Sequence, residues 1–427
     1  MRTVYLKFTE GCCNRRILDL KALEVFFAKN GWQSVGEAKD AGLICLHTCA
    51  FVKRTEDIAM AEIARMQREF PRAELLVTGC LPGINLPRLR EIFPGTAINT
   101  VDLTDINAAL ADAGYALDTL ERDENLLFEQ ADHTKKLPSL VSIGYFLKDN
   151  FSLRPVFWRN LLRNVGNIVG AGMGLSRKHW YLRIGWGCEQ PHCTFCVECR
   201  AIGYRVVSKP IEQCLREVRA GVAAGYHELF VTADSPGAWG VDRGRRLPEL
   251  LRAILDAEPS VVISNIDGIH PYFLYRYLDE FCAVLRSGRI KSFMIPLQSG
   301  SDRILELMGR RYTREQFLEI VAACKRSYPR LVIVSQAIVG FPTETFEDFQ
   351  DSVDVFVRAG VTNVTFFPFY PHPETVAGRM EGQIDDEEKS RRVLYGLKKT
   401  GEVGILSLHR THEVNPKYQK VKARYDQ

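Results

Sequence analysis

The sequence lacks the features that mark membrane-spanning and secreted proteins. Its apolar runs fall short of the roughly 18 residues that a transmembrane helix needs. The start, residues 1–8, is a short strand-like run without the apolar core of a signal peptide. The chain also lacks a strong charge of either sign, and a net charge of +4 neither favours nor excludes a nucleic-acid partner. We therefore expect a cytoplasmic protein without a membrane span.

The rest of the composition is that of an ordinary globular protein. The 427 residues, 46% hydrophobic and 25% charged, are enough for two or three domains with full cores. The chain has 12 cysteines. In a reducing compartment these are metal ligands or buried thiols rather than disulfides.

Three cysteines lie close enough in sequence for a single loop to wrap them round a metal centre. Cys188, Cys193 and Cys196, here called the loop cysteines, form a C-x4-C-x2-C array, and Cys199 follows three residues later. Four cysteines can close a tetrahedral zinc site, whereas three can hold an iron–sulfur cluster and leave one iron open. Cys199 and His192 are therefore either substitute ligands or bystanders.

Residues 1–105 alternate short apolar strands with helices, which predicts a small parallel sheet. Cys12, Cys49 and Cys80, here called the edge cysteines, each follow a predicted strand, and Cys13 is an alternative to Cys12. The carboxyl ends of parallel strands share one ligand-binding edge, so we expect the edge cysteines to converge on a second metal centre. Other cysteines are interpreted as buried thiols, namely Cys45, Cys214, Cys282 and Cys324.

Residues 106–178 are predicted to connect this domain to the next. Residues 141–180 contain six lysines and arginines against one acidic residue, Asp149, with large apolar side chains interleaved. Such a basic amphipathic segment covers a substrate channel, touches a membrane surface or meets an acidic partner. The alternative is a helix whose apolar stripe simply packs on the rest of the protein.

Residues 179–385 return to strand–helix alternation with a longer period. Six strands predicted between Tyr181 and Phe369 indicate an open, partial (β/α)6 barrel, so that the fold class of the whole chain is α/β. The loop cysteines follow the first of these strands, on the face where barrels carry their active sites. Residues 386–427 are predicted to be a charged helix followed by a basic surface tail.

Taken together, these features resemble the radical S-adenosylmethionine (SAM) methylthiotransferases over about nine tenths of the chain. The resemblance is weaker in residues 110–178. Family motifs match both cysteine sets, and further motifs follow in the family's order: residues 295–302 (IPLQSGSD), Met308 with residues 310–313 (RRYT), residues 338–344 (IVGFPTE) and residues 369–380.

The chain departs from the family pattern at several points. The family usually spaces its loop cysteines C-x3-C-x2-C, so this loop has one extra residue. Thr343 stands where glycine is usual, and Gln336 stands where an acidic residue is usual. Only about 45 residues follow the barrel, without the pattern of a five-stranded module. We therefore expect the family's C-terminal TRAM-type RNA-binding domain to be missing.

The resemblance implies two 4Fe–4S clusters and SAM as cofactors. The cluster on the loop cysteines would bind SAM at its open iron and cleave it to a 5′-deoxyadenosyl radical, while the auxiliary cluster on the edge cysteines would hold the sulfur to be transferred. Because the cofactors carry the hard chemistry, no catalytic acid–base side chain is predicted. Candidate SAM contacts lie near the strand ends and the cluster loop: Phe195, Thr232, Asp234, Ser264, Gln298 and Arg310.

The expected function is conversion of an unactivated C–H bond into C–SCH3, with an electron donor such as flavodoxin or ferredoxin. The expected loss of the RNA-binding domain and the basic segment favour a peptide or protein side chain as substrate. The alternatives are methylthiolation of a tRNA base, radical C–S bond formation without methyl transfer, and a zinc-bound structural protein that uses Cys199 with the loop cysteines.

Overall fold

The computed structural model describes residues 2–11, 13–110, 114–118, 179–189, 193–409 and 417–425. Cys12, His192 and residues 141–178 of the predicted basic segment lie outside these ranges. The strands are β1 (Arg2–Phe8), β2 (Trp32–Ser34), β3 (Leu43–Thr48), β4 (Glu74–Gly79), β5 (Ala97–Asn99), β6 (His179–Trp186), β7 (Val207–Ser208), β8 (Glu228–Ala233), β9 (Val262–Ile266), β10 (Ser292–Met294), β11 (Val332–Val339), β12 (Asn363–Pro368) and β13 (Leu406–His409).

Helices alternate with these strands along most of the chain. They are α1 (Asn14–Lys29), α2 (Lys53–Glu69), α3 (Cys80–Ile84), α4 (Leu86–Ile92), α5 (Ile106–Ala109), α6 (Cys199–Ile202), α7 (Ile211–Ala223), α8 (Leu247–Ala257), α9 (Pro271–Arg276), α10 (Leu278–Leu285), α11 (Asp302–Leu307), α12 (Arg314–Ser327), α13 (Phe346–Ala359), α14 (Asp386–Glu402) and α15 (Tyr418–Tyr425). None of the helices in the described ranges is long and apolar enough to cross a bilayer.

The N-terminal sheet is parallel throughout, in the order β2-β1-β3-β4-β5. Its centre is formed by β1, β3 and β4, the strands that the apolar runs predict. All six residues of β3 are buried, which is why this strand reads as a continuous apolar run. The sequence does not predict β2 and β5, because three residues are too few to show a period-two pattern.

The second sheet has the order β13-β12-β11-β10-β9-β8-β6-β7 and forms the partial barrel. The six predicted strands are present as a parallel series from β6 to β12, which confirms the α/β fold class. Two more strands extend it. The two-residue strand β7 pairs antiparallel with β6 at one edge, and β13 pairs parallel with β12 at the other.

The prediction of a surface tail after the barrel is wrong in part. The charged helix α14 is present, but β13 then joins the barrel sheet and α15 packs back on α14. Tyr418 and Val421 of α15 are buried against Leu394 of α14. The tail's many charges hide this pairing in the sequence, because apolar residues at two positions of a short helix give a weak amphipathic signal.

An apolar cluster joins the two domains. It contains Ile63 and Leu81 of the first domain together with Val197 and Ala201 of the cysteine loop and α6. Backbone contacts reinforce it, since the Val101 N–H donates to the Ala201 carbonyl at 2.8 Å.

Buried charges join the domains beside this cluster. Asp19 of α1 accepts from Arg183 of β6 at 2.6 Å and forms an ion pair with Arg16 at 2.9 Å. All three side chains are at most 2% exposed. Removing one member of a buried pair leaves its partner's charge uncompensated, which is far more costly than losing a surface pair.

We expect Asp19→Asn to lower the free energy of unfolding of the cluster-free chain by about 3 kcal/mol, because two buried guanidiniums lose their shared carboxylate. Denaturant unfolding followed by circular dichroism measures this loss. Glu69→Gln is the matched control, since Glu69 pairs with Arg65 at 2.6 Å on an exposed helix face. It should cost under about 1 kcal/mol. Equal losses in the two variants would contradict the role assigned to Asp19.

Candidate active site

The register of the first sheet brings Cys49 and Cys80 to one edge. Thr48 and Gly79, the last residues of β3 and β4, are direct partners, so the two cysteines are the next residues of adjacent strands. The end of β1 joins them, because the Cys49 N–H donates to the Thr9 hydroxyl at 3.1 Å. Burial raises the pKa of both thiols. The structure thus confirms the expected convergence for the two edge cysteines that it describes.

Glycines precede the cysteines because the backbone turns sharply into each loop. Gly79 has φ +98°, and a Cβ there would lie 2.3 Å from the Thr48 carbonyl oxygen. Gly187, before Cys188, has φ +77°, and a Cβ would lie 1.9 Å from the Arg205 carbonyl oxygen. Both the left-handed conformation and the lack of space require glycine.

Cys13 lies at the same edge, directly before α1. Its carbonyl accepts from the N–H groups of Arg16 and Ile17 at 2.9 and 3.1 Å, so it caps the helix. The charge of its thiol also acts on the thiols of Cys49 and Cys80. Cys12, the ligand that the sequence favours, lies outside the described residues. Cys13 therefore stays the alternative to Cys12 as the third ligand.

We expect Cys80→Ala to lose about four of the roughly eight irons that two 4Fe–4S clusters hold. The reason is that Cys80 lies beside Cys49 at the edge where the second cluster would bind. Iron and sulfide are measured after anaerobic reconstitution, with Cys45→Ala, a buried thiol inside β3, as the control that should keep both clusters. Equal iron loss in the two variants would contradict the ligand role of Cys80.

The loop cysteines follow β6 at the mouth of the barrel. The loop is anchored on two sides: Thr194 donates from its hydroxyl to the Leu307 carbonyl at 2.8 Å, and its own carbonyl accepts from the Ala377 N–H at 2.9 Å. Burial raises the pKa of the Cys196 thiol, and the charges of the neighbouring Glu198 and cysteines add to this effect. The loop cysteines are thus gathered at one place.

The described side chains do not form a site for a single metal ion. Across the described ranges no three His, Cys, Asp or Glu side chains are arranged round a point that one metal ion would occupy. A four-iron cluster does not require this, because each cysteine binds a different iron. The Cys199 thiol, the fourth ligand of the zinc alternative, donates instead to the Cys196 carbonyl at 3.5 Å.

Arg310 lies against the cysteine loop, next to Phe195 of the loop itself. Arg310 is 9% exposed, and its guanidinium donates to the Cys193 sulfur at 3.3 Å and to the Tyr312 hydroxyl at 3.3 Å. The same guanidinium lies 5.9 Å from the centre of the Phe195 ring. A cation beside a cluster ligand is suited to binding a carboxylate such as that of SAM.

Gln298 holds a strained backbone next to this group. Its φ is +66°, although it is not glycine, and it bonds to β11 through the Gln336 carbonyl and the Ile338 N–H, both at 2.9 Å. Its side-chain oxygen meets no donor among the residues that the structure describes. A strained, buried amide with a free acceptor is typical of a ligand site.

Asp348 of α13 fixes the loop that follows Gln298. Its carboxylate accepts from the Ser301 hydroxyl at 2.6 Å and from the Thr345 N–H at 2.8 Å, and it pairs with Arg303. Burial alone would raise its pKa, but these hydrogen bonds outweigh that effect and lower the pKa from 3.8 to about 2. The ionised carboxylate therefore stabilises the fold above about pH 4, and this contribution is lost as the pH falls towards 2.

Asp348→Asn should cost about 1 kcal/mol of unfolding free energy at pH 7, after allowance for solvent screening. The difference from the parent chain should shrink as the pH is lowered from 4 towards 2, because the parent carboxylate is then protonated. Denaturant unfolding of the cluster-free chain across this range tests it. Asp351→Asn, at a largely exposed position of the same helix, should stay within about 0.5 kcal/mol. A difference that grows in acid would contradict the assignment.

The remaining predicted SAM contacts have other partners. The Thr232 hydroxyl donates to Asp267 at 2.9 Å, and both oxygens of Asp234 accept hydrogen bonds within the protein. Ser264 is not brought to this site. It bonds to His179, the first residue of β6, whereas the loop cysteines follow the last residue of that strand. Ser264 lies in the middle of β9, which continues to Ile266, and so it does not reach the end of the strand where the site is.

The two cysteine sets face each other across the domain junction. Cys80 and Cys188 contribute to the same apolar cluster, and the Glu198 carboxylate acts electrostatically on Cys80, Cys49 and Cys196. Sequence reasoning missed the charged residues beside them, Arg15, Arg16, Asp19 and Arg183. A signal does exist: Arg16 and Asp19 share the buried face of α1 with its apolar residues.

Family models match both domains of the chain. Residues 184–356 match the Radical SAM superfamily, and residues 5–100 match a family described as Uncharacterized protein family UPF0004. Among solved structures, the radical S-adenosylmethionine methyltransferase TsrM from Kitasatospora setae matches 91% of this chain and 76% of that one. With a TM-score of 0.59 and 17% identity, this likeness shows the fold alone.

Methylthiotransferases align over most of the chain at 27% identity. The tRNA-2-methylthio-N(6)-dimethylallyladenosine synthase of Thermotoga petrophila matches 90% of this chain and 78% of its own length. The "Probable threonylcarbamoyladenosine tRNA methylthiotransferase" of Pyrococcus horikoshii matches 99% and 88%. The ribosomal protein uS12 methylthiotransferase RimO of Alkalilimnicola ehrlichii matches 90% and 79%.

The barrel and its cysteine loop define a radical SAM enzyme. The match of the N-terminal domain and the names of the relatives indicate which radical SAM enzymes the chain is similar to. Over most of its length the chain is similar to radical SAM methylthiotransferases.

Proposed function

We propose that this enzyme replaces a C–H bond of a tRNA base by C–SCH3, using two 4Fe–4S clusters and SAM. The observation that carries the proposal is the approach of two cysteine sets across one junction, with Glu198 near both. Bound there, the cluster on the loop cysteines would cleave SAM, and the cluster on the edge cysteines would supply the sulfur for transfer. The hydrogen would leave in 5′-deoxyadenosine, the methyl group would come from a second SAM, and an external donor such as flavodoxin or ferredoxin would supply the electron.

The side chains of the protein have holding and shielding roles in this proposal. The loop cysteines and Cys49 with Cys80 would bind the clusters, with Cys13 or Cys12 as the third ligand of the second set. Arg310 and Gln298 would orient SAM, since one offers a buried cation and the other a buried acceptor. The apolar cluster around Leu81 and Val197 would exclude water from the space between the two centres.

The choice of tRNA over a peptide rests on the relatives. The sequence favours a peptide or protein side chain, but the relatives from Thermotoga petrophila and Pyrococcus horikoshii are named for tRNA nucleosides. The relative named for ribosomal protein uS12 keeps a protein substrate as the second candidate. Binding to tRNA would depend on phosphate contacts, so its affinity should fall steeply with salt.

Anaerobically reconstituted enzyme should convert SAM, in the presence of a reductant, into 5′-deoxyadenosine and a methylthiolated nucleoside in tRNA. Mass spectrometry of digested tRNA detects the added methylthio group, and parallel reactions with small peptides test the second candidate. Cys193→Ala should abolish formation of 5′-deoxyadenosine, whereas Cys80→Ala should allow it but give no methylthio product. A product that gains sulfur without the methyl group would exclude methylthio transfer.

A further inference from the structure

Asp234 connects the two cysteine loops through its two carboxylate oxygens. It is the first residue after β8, and its side chain is 4% exposed. One oxygen accepts from the Arg16 guanidinium at 2.9 Å, and the other accepts from the Gly187 N–H at 3.0 Å. These donors come from different domains, so a single carboxylate spans the junction.

Each donor is attached directly to a cysteine loop. Gly187 immediately precedes Cys188, the first loop cysteine. Arg16 lies in the first turn of α1, and its N–H donates to the Cys13 carbonyl at 2.9 Å. A shift of Asp234 would therefore act on both loops, directly at Gly187 and through the Arg16 side chain at the start of α1.

Neighbouring contacts leave this carboxylate little freedom. Arg15 donates to the carbonyl of Ala233, the residue before Asp234, at 3.2 Å. On the other side, Arg16 is held by Asp19, which Arg183 of the barrel also binds. Both oxygens of Asp234 are thus engaged by the protein itself, in addition to the SAM contact that the sequence predicts.

We propose that Asp234 is a positioning residue that fixes the separation between the two cluster-binding loops. This inference rests on the proposed function, because only an enzyme with two centres needs that separation to be fixed. Transfer between two bound groups requires near-contact geometry, and a misplacement of about 1 Å can cost on the order of a hundredfold in rate. A buried carboxylate shared by both loops sets such a distance directly.

The variant Asp234→Asn tests this role with little change of shape. Its amide oxygen can still accept from Gly187, but its NH2 group then faces the Arg16 guanidinium and the charge is lost. Glu217→Gln is the matched control, because the Lys209–Glu217 pair is also fully buried, at 2.7 Å, but lies wholly inside the barrel. Comparison of the two separates positioning from general destabilisation.

Two measurements on the reconstituted enzyme test the proposal. One reports how firmly the two loops are held, and the other reports the efficiency of methylthio transfer. Hydrogen exchange at the Gly187 and Arg16 amides should become about tenfold faster in Asp234→Asn. The hydrogen bond to Gly187 becomes a weaker, neutral one, and the Arg16 guanidinium loses the carboxylate that holds the start of α1. With SAM, reductant and tRNA, the methylthio product formed per 5′-deoxyadenosine should fall on the order of tenfold or more. Glu217→Gln should leave exchange at these two amides and the product ratio unchanged.

Unchanged exchange in Asp234→Asn, or equal changes in both variants, would overturn the positioning role. A normal product ratio together with faster exchange would also overturn it, because the separation would then not matter for transfer. Failure of the proposed function looks different. In that case the parent enzyme itself would yield no methylthio product, while the exchange at Gly187 and Arg16 would still report whether Asp234 holds the loops.

Discussion

The buried charges at the domain junction are the constraint on which the site depends. Arg183 and Asp19 place α1 against the first barrel strand, and α1 begins at the edge where Cys49 and Cys80 emerge. A buried ion pair is a poor source of stability compared with apolar packing, but its geometry is narrowly defined. The apolar cluster around Leu81 stabilises the contact between the two domains, and the ion pairs fix the orientation of α1 against the barrel.

The site itself is built from backbone conformations that few residues tolerate. Gly79 and Gly187 turn the chain into cysteine loops at positive φ, where a side chain would collide with a neighbouring carbonyl. Gln298 adopts positive φ without being glycine, supported by hydrogen bonds to β11 on both sides. Such positions are unfavourable in isolation, so the surrounding sheet must hold them. These unfavourable backbone conformations are concentrated where ligands are expected to bind.

The cofactor site and the substrate are separate questions for this protein. The two cysteine sets and Arg310 lie at the junction, and they account for cofactor binding in the proposed function. The names of similar proteins refer to tRNA nucleosides in some cases and to a ribosomal protein in another. Likeness over most of the chain therefore does not by itself select the substrate.

The sequence by itself determined the α/β class and the six parallel barrel strands, because the periodicity of apolar residues is a local property. It could not find β13, because strand pairing depends on partners distant in the chain. It placed Ser264 at the active face because the polar pair Ser264-Asn265 interrupts an apolar run that the strand in fact continues to Ile266. The tertiary structure alone decided that Asp234 joins the two loops, since Arg16 and Gly187 lie far from it in sequence. Local sequence patterns indicate which residues could carry chemistry, whereas tertiary packing determines which of them come into contact.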